Sequence, residues 1–329
     1  MTRSGRPSED DLIARYFAPL AGEGGLELRD DAACLSPLAR HDLVLTADAL
    51  VETVHFLPGD APGSVARKAL GVNVSDLAAK GADPAGFLLS LALPDGWTED
   101  WLAGFATGLG EAARDFSCPL LGGDTVRARG ALTLSVTAIG QVPAGRMVRR
   151  TTARDGDVIC VTGTIGDAAL GLGLRSSPAW AGGLLSEEAA FLADRYLHPQ
   201  PRHRLAAPLR THARAAMDVS DGLAGDLAKM MRASGVTAVV ETDRVPLSPA
   251  ARAAIRADPG LLDLALTGGD DYEILCTLPE KSLDTLLKEA DRVGVALSVI
   301  GRVVAGDGLP VFRRQDSERR FDAGSYSHF

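Results

Sequence analysis

A chain of 329 residues with 46% hydrophobic and 23% charged residues has an ordinary globular composition, and its length favours two domains. Its formal charge of −9, from 34 Lys and Arg against 43 Asp and Glu, argues against a nucleic-acid partner, because no basic stripe offsets the acidic balance. No run approaches the roughly 18 apolar residues that cross a bilayer, and the opening MTRSGRPSEDDLIARYF lacks the apolar stretch of a secretion signal, so a cytoplasmic protein with no membrane partner is expected.

Apolar Leu12, Ile13, Tyr16 and Phe17 at helical spacing, with Ser8 as N-cap, predict a short helix over 8–20. HDLVLTADAL reads as a buried strand ending at Asp48. SVARKALGVNVSDLAAKGADP reads as a helix from about Ser64 to a stop before Gly81, with Ala69, Asn73 and Asp76 on one face. GFLLSLALP and ALTLSVTAIGQV are strands flanking a helix from Thr98 to Phe116. After the turn-rich connector VPAGRMVRRTTARDGD, DVICVTGTIGDAALGLGL reads as a strand running through Gly163 and Gly166 into a helix. MDVSDGLAGDLAKMMRASG reads as a strand end, a turn and a helix. GVTAVVETDRV, YEILCTLP and ALSVIGRVV are strands, with helices around 248–257 and 281–293. Gly-Gly-Asp occurs twice, at 122–124 and 268–270, and both copies read as turns beside strands. The alternation of strands and helices predicts an α/β protein with domains 1–145 and 146–329. Cys34, Cys118, Cys160 and Cys276 form no C-x-x-C pair and read as buried, reduced thiols.

The acidic positions carry the chemistry. Asp30, Asp31, Asp48, Asp76, Asp124, Asp218, Asp221, Asp270 and Asp271 follow or interrupt apolar segments, with few Lys or Arg close in sequence to pair with them. A carboxylate removed from water costs several kcal/mol unless paired or coordinated, roughly speaking, and divalent cations are natural partners. Each aspartate taken alone has a plainer reading as a turn or cap residue; the set is what calls for cations. Only oxygen donors recur, which selects magnesium, calcium or manganese, and no EF-hand loop is present. Magnesium shares its shell with phosphates, so a nucleotide and a phosphoryl acceptor are expected. Neither a P-loop nor G-x-G-x-x-G is present.

DDAAC, LTADALVETVHF, VNVSDLAAKGADP, LLGGDTV, ARDGD, TGTIGDAALGL, MDVSDGL and GGDDYEIL occur in the order and spacing of thiamine-monophosphate kinases, and the chain resembles that family over nearly its whole length. The resemblance implies a two-domain fold like that of aminoimidazole ribonucleotide synthetase. In it an N-terminal mixed sheet with helices binds ATP and metal and pairs in a homodimer, and a C-terminal α/β domain closes an ATP cleft between the two. It implies several Mg2+ ions held by Asp31, Thr46, Asp48, Asp76, Asp124, Asp218 and Asp221. It places Gly123, Asp124, Arg150 and Ser220 at the nucleotide, and His55, Asp270 and Tyr326, with Phe329 as a weaker candidate, on the thiamine-monophosphate side. Asp218, Asp48 and Arg150 would carry catalysis. Plainer readings stand beside these: His55 as a core histidine, Arg150 as a solvated cation, Tyr326 as terminal packing. Four positions depart from the family pattern: Arg29 and Thr53 stand where glycine is usual, Ala106 where some relatives place an aromatic, and Asp270 where glutamate is usual.

The implied reaction is Mg-dependent transfer of the ATP γ-phosphoryl group to thiamine monophosphate, giving thiamine diphosphate and ADP. Backbone N–H groups of the Gly163–Gly166 turn are expected to cradle phosphate oxygens. Rival readings are a selenophosphate or aminoimidazole ribonucleotide synthetase-like enzyme, a two-metal phosphatase, and a regulatory protein that binds without turnover. The N-terminal stretch LAGEGGLELRDD lacks the cysteine usual in selenophosphate synthetases.

Overall fold

The computed structural model describes residues 7–322 and residue 324, and the chain divides into two compact units. The first comprises residues up to 77 together with 83–145; the second comprises 78–82 and the residues from 146 onward. Tyr326 and Phe329 lie outside the described residues.

The first unit opens with α1 (Glu9–Leu12), capped by a reciprocal Ser8 and Asp11 box, and continues as a wider π-helical turn (Ile13–Phe17) and a tighter 3-10 turn (Ala18–Leu20). Its sheet is built from β1 (His41–Val51), β2 (Asp83–Leu93), β3 (Leu120–Arg127) and β4 (Thr133–Pro143), in the order β1-β4-β2-β3. β4 is antiparallel to both its neighbours, whereas β2 and β3 run parallel. Burial alternates residue by residue along β4, so one face of the sheet is buried and the other open.

Two helices, α2 (Pro62–Ala79) and α3 (Glu99–Asp115), supply buried side chains such as Leu70, Val74, Leu102, Phe105 and Leu109. They approach closely at Gly63 and Gly108, where a Cβ on Gly108 would overlap the Gly63 backbone. The helix stop predicted before Gly81 is met: Gly81 has φ 69°, a conformation glycine adopts without a steric cost.

β1 differs from its reading in two respects. It runs on to Val51, and it is an edge strand with one open face: Leu43 and Leu45 are exposed, Leu45 by 63%, because their side chains point away from the helices. The first Gly-Gly-Asp is not a turn but the middle of β3. Gly122, Gly123 and Asp124 pair with Leu88, Leu89 and Ser90 of β2. Cys34 is exposed, against the expectation of four buried thiols, whereas Cys118, Cys160 and Cys276 are buried. Burial pushes the Cys118 and Cys160 thiols up to about 12.

The second unit is built on a mixed seven-stranded sheet. Its centre holds β5 (Val158–Thr162), β7 (Thr237–Glu241), β8 (Ile274–Leu278) and β9 (Leu297–Val304); β6 (Ala215–Asp218) forms one edge, and β10 (Val311–Arg314) and β11 (Ser317–Arg319) extend the other. The order is β11-β10-β7-β9-β5-β8-β6. β5 and β8 are buried at every position, consistent with their near-continuous apolar sequences. The expected helices are α4 (Asp167–Leu174), α7 (Leu223–Ser234), α8 (Pro249–Ala257) and α10 (Leu283–Arg292). Three more, α5 (Ser186–Leu197), α6 (Ala206–His212) and α9 (Leu261–Thr267), were not singled out by periodicity. Apolar side chains gather into core clusters, of which two flank the sheet strands. One gathers Ile159, Val161, Leu223, Leu227, Met230 and Leu275; the other gathers Val158, Leu205, Ala216, Cys276 and Leu286.

Candidate active site

In the first unit, alternation along β1 turns Thr46 and Asp48 towards the buried face of the sheet, opposite Ala138 and Val136 of β4. There they meet α2. Thr46 Oγ1 donates to Asp76 Oδ2 at 2.5 Å, and the Asp48 N–H donates to Asn73 Oδ1 at 3.2 Å, one helical turn before Asp76. Asn73 is itself buried and anchored by its amide to the Ala69 carbonyl. Three of the expected cation ligands are thereby gathered at one strand and helix junction.

His55 stands on the turn that follows β1. Its Nδ1 accepts the Val51 N–H at 3.0 Å, which places the ring proton of the neutral form on Nε2. The buried Lys68 donates to the His55 carbonyl at 3.0 Å. The same turn explains one family departure: Thr53 has φ 72°, a left-handed conformation in which glycine is the unstrained choice. Arg29, by contrast, has φ −103° and requires no glycine; it pairs with Glu27 at 3.1 Å. Ala106 is buried on α3.

Asp30, Asp31, Gly123 and Asp124 line a cavity of about 700 Å³, with Phe17, Leu28, Leu88 and Leu121 among its apolar walls. Both its dimensions and its mixed lining suit a nucleotide-sized ligand. Asp30 Oδ1 accepts the Asp31 N–H at 2.8 Å and so shapes the loop; Asp30, Asp31 and Asp124 are all exposed.

In the second unit, two turns interlock. Asp218 closes β6 and is buried; Ser220 and Asp221 follow on the turn into α7. The Asp270 N–H donates to the Ser220 carbonyl and the Tyr272 N–H to the Val219 carbonyl, both at 2.8 Å. Asp270 and Tyr272 adopt positive φ, and a Cβ on Gly269 would strike the Ser220 carbonyl. Asp218, Ser220, Asp221 and Asp270 therefore share one rigid rim. Arg150 is exposed, with its carbonyl accepting from the Ser234 hydroxyl at 3.1 Å.

Several partners escaped the sequence reading. Asp226 is fully buried, and its Oδ2 accepts the N–H groups of Ser220 at 3.0 Å and Asp221 at 2.9 Å, so it folds the acidic turn from beneath. Burial raises its carboxyl above the ordinary value, opposed by Lys229. Lys229 also contacts the Asp221 carboxylate and is one of the few cations close in sequence to these acids. An aspartate three residues before a lysine on a predicted helix was the available signal.

Asp271 is no metal-facing acid either. Both its oxygens accept the Gly166 N–H at 2.9 Å, and burial pushes its carboxyl well above the usual range. The expected phosphate cradle at Gly163–Gly166 is corrected accordingly, because the Gly166 donor is already spent on Asp271. Beside it, Glu273 takes a two-pronged contact from Arg202 and a hydroxyl bond from Thr162 at 2.5 Å, at the edge of a small polar cavity of about 140 Å³.

Among the described residues, no three Asp, Glu, His or Cys side chains close on one metal-sized point. The donors the structure offers are carboxylate and hydroxyl oxygens, Thr46 with Asp76 and Asp48 in one unit and Asp218 with Asp221 in the other. Such a donor set fits a hard divalent cation such as magnesium, which tolerates waters and phosphate oxygens in its shell.

Comparison with known proteins gives matches along most of the chain. The AIR synthase related protein N-terminal domain matches residues 29–142 and the C-terminal domain matches residues 154–313. A thiamine-monophosphate kinase of Caulobacter vibrioides is 43% identical over 312 residues, covering 93% of this chain and 87% of that protein. The crystal structure of thiamine-monophosphate kinase from Stenotrophomonas maltophilia superposes with a TM-score of 0.79 at 42% identity, covering 88% of this chain and 90% of that one. AaThiL complexed with AMPPCP and TMP superposes with a TM-score of 0.78 at 29% identity, covering 100% of both chains.

Proposed function

The chain belongs to the family of thiamine-monophosphate kinases, and from that premise we propose that its acidic turns hold magnesium ions on which ATP and thiamine monophosphate are brought together. The enzyme is an ATP-dependent phosphotransferase with a phosphate group as acceptor. It transfers the γ-phosphoryl group of ATP to thiamine monophosphate, giving thiamine diphosphate and ADP.

The acceptor phosphate, with a second pKa of about 6, is largely ionised at neutral pH, so no side chain need act as its general base. The obstacle is charge. Two unit charges 4 Å apart repel by about 4 kcal/mol at an effective dielectric near 20, and several phosphate charges converge here. When bound, magnesium would supply the positive charge that offsets this repulsion and stabilises the transferring phosphoryl group. Thr46, Asp48 and Asp76 would hold magnesium within the first unit, with Asp31 and Asp124 beside the nucleotide cavity, and Asp218 and Asp221 would hold magnesium within the second. Arg150 adds fixed positive charge, and Gly123 and Ser220 lie beside the nucleotide. His55 through Nε2, Asp270 and Tyr326 receive thiamine monophosphate. Transfer is direct, without a phosphoenzyme.

The observation that carries these assignments is the 2.5 Å bond between Thr46 and Asp76, 30 residues apart, which brings oxygen donors of two sequence motifs to one point beside Asp48. The remaining proposals concern setting. The open sheet face of the first unit, with exposed Leu43, Leu45, Leu88 and Val126, supports a homodimer. Among the described residues no helix is long and apolar enough to cross a membrane, which supports a cytoplasmic location.

The test is incubation with magnesium, ATP and thiamine monophosphate, with and without EDTA, followed by chromatography of nucleotide and thiamine species. ADP and thiamine diphosphate should form together, and EDTA should stop both. Asp48→Asn and Asp218→Asn should each lower turnover by at least about a hundredfold while circular dichroism stays unchanged. Near-normal turnover in both variants would remove the assignment.

A further inference from the structure

Lys229 occupies a position in which one cation serves two carboxylates. It lies on α7, its Nζ donates to Asp226 Oδ1 at 2.9 Å, and the same Nζ reaches the Asp221 carboxylate. The two acids are not equivalent. Asp226 is fully buried and bound to the backbone of the turn, whereas Asp221 is 39% exposed at its side chain and stands on the rim with Asp218 and Asp270.

A buried carboxylate stripped of its cationic partner is costly, so the contact between Lys229 and Asp226 is the permanent one. The contact with Asp221 is half solvated and exchangeable. The charge balance points the same way: Asp221, Asp226 and Lys229 together carry one negative charge, and a divalent cation arriving on Asp221 leaves Lys229 and Asp226 as a neutral pair. We propose that Lys229 is a tethered counter-ion that holds Asp221 in the metal-free protein and gives it up, while staying on Asp226, when a divalent cation binds. This rests on the reading of Asp221 as a cation ligand. Lys229 thereby keeps two like charges from repelling one another in the empty turn, at the expense of cation affinity. It is a positioning residue, acting through Asp221 and making no contact with substrate.

The test needs no turnover. Thermal denaturation of the full chain is followed as Mg2+ is titrated, for the wild type and Lys229→Met. The variant should melt lower without metal, and its Mg2+ midpoint should be about twofold to fivefold lower, the scale of a partly exposed ion pair. In an Asp221→Asn background the effect of Lys229→Met on the midpoint should vanish. Should Lys229→Met fail to fold through its loss to Asp226, a crystal structure of the wild type soaked in Mn2+ decides the matter: Nζ should remain on Asp226 and leave Asp221. An unchanged midpoint, or Nζ still on Asp221 with the cation bound beside it, overturns the proposal. A wild type with no response to Mg2+ and no Mn2+ at Asp221 shows instead that the cation reading has failed, and the proposal with it.

Discussion

Thr53 holds a β-branched side chain at φ 72°, in the turn whose next-but-one residue is His55. The left-handed region costs a non-glycine residue roughly 1–2 kcal/mol, and β-branching adds to the crowding. Thr53→Gly should therefore raise the free energy of unfolding by about 1 kcal/mol in urea titrations, net of the greater freedom glycine brings to the unfolded chain. A loss of stability would mean that the threonine side chain makes a contact worth more than the strain. Residue types were the most legible feature at this scale. The aspartates and Thr46 stand out because they interrupt apolar runs, whereas Asp226 drew no reading and Asp271 was grouped with the acids that call for cations. Their roles depend on which backbone N–H groups a folded turn presents, and sequence spacing does not display that. Lys229 likewise matters for a contact across a helical turn and a loop together.

At the scale of elements, strongly periodic or apolar segments were read well: α2, α3, α7, β5 and β8 all lie where their patterns place them. β3 was misjudged because glycines ordinarily punctuate, and two in a row beside an aspartate resemble a turn. The parallel pairing of β2 and β3 brings the Leu89 carbonyl so close to Gly123 that any Cβ would overlap it, at φ 157°. Glycine is there for close approach, not for reversal. Gly123→Ala should force these strands apart and cost at least about 2 kcal/mol in denaturant unfolding, with a lower melting temperature. Wild-type stability in that variant would show that the pairing has slack. The two Gly-Gly-Asp triplets consequently occupy different structures, one in a strand and one in a positive-φ turn, and their likeness is no evidence of duplication.

At the scale of the whole molecule, the open face of the first sheet bears on assembly. Leu45 is paired laterally with Ile139 and exposed by 63%, and Leu88 and Val126 extend the apolar surface across the sheet. If that face is covered by a second copy, as proposed, Leu45→Lys places two charges at a twofold interface, and sedimentation equilibrium should register a monomer at micromolar concentration with the circular dichroism spectrum retained. A wild type that is itself monomeric there would locate the face elsewhere in the protein's business. The net charge of −9 is compatible with the same picture, since the acids that set it are drawn towards cation sites as well as solvent.

What could be known from the residues alone was the α/β class, the positions of the longer elements, the oxygen-only donor chemistry and the family resemblance. These follow from local patterns: apolar periodicity, β-branched runs, and carboxylates set in apolar surroundings. What waited for the folded chain was the pairing of Thr46 with Asp76, the burial of Asp226, the bond between Asp271 and Gly166, and the shared Lys229. Each of these joins groups that are separated along the chain or that point from different turns. Only packing, which brings such groups within hydrogen-bond distance and removes the water between them, decides which acid remains available to a ligand and which is consumed in holding the structure.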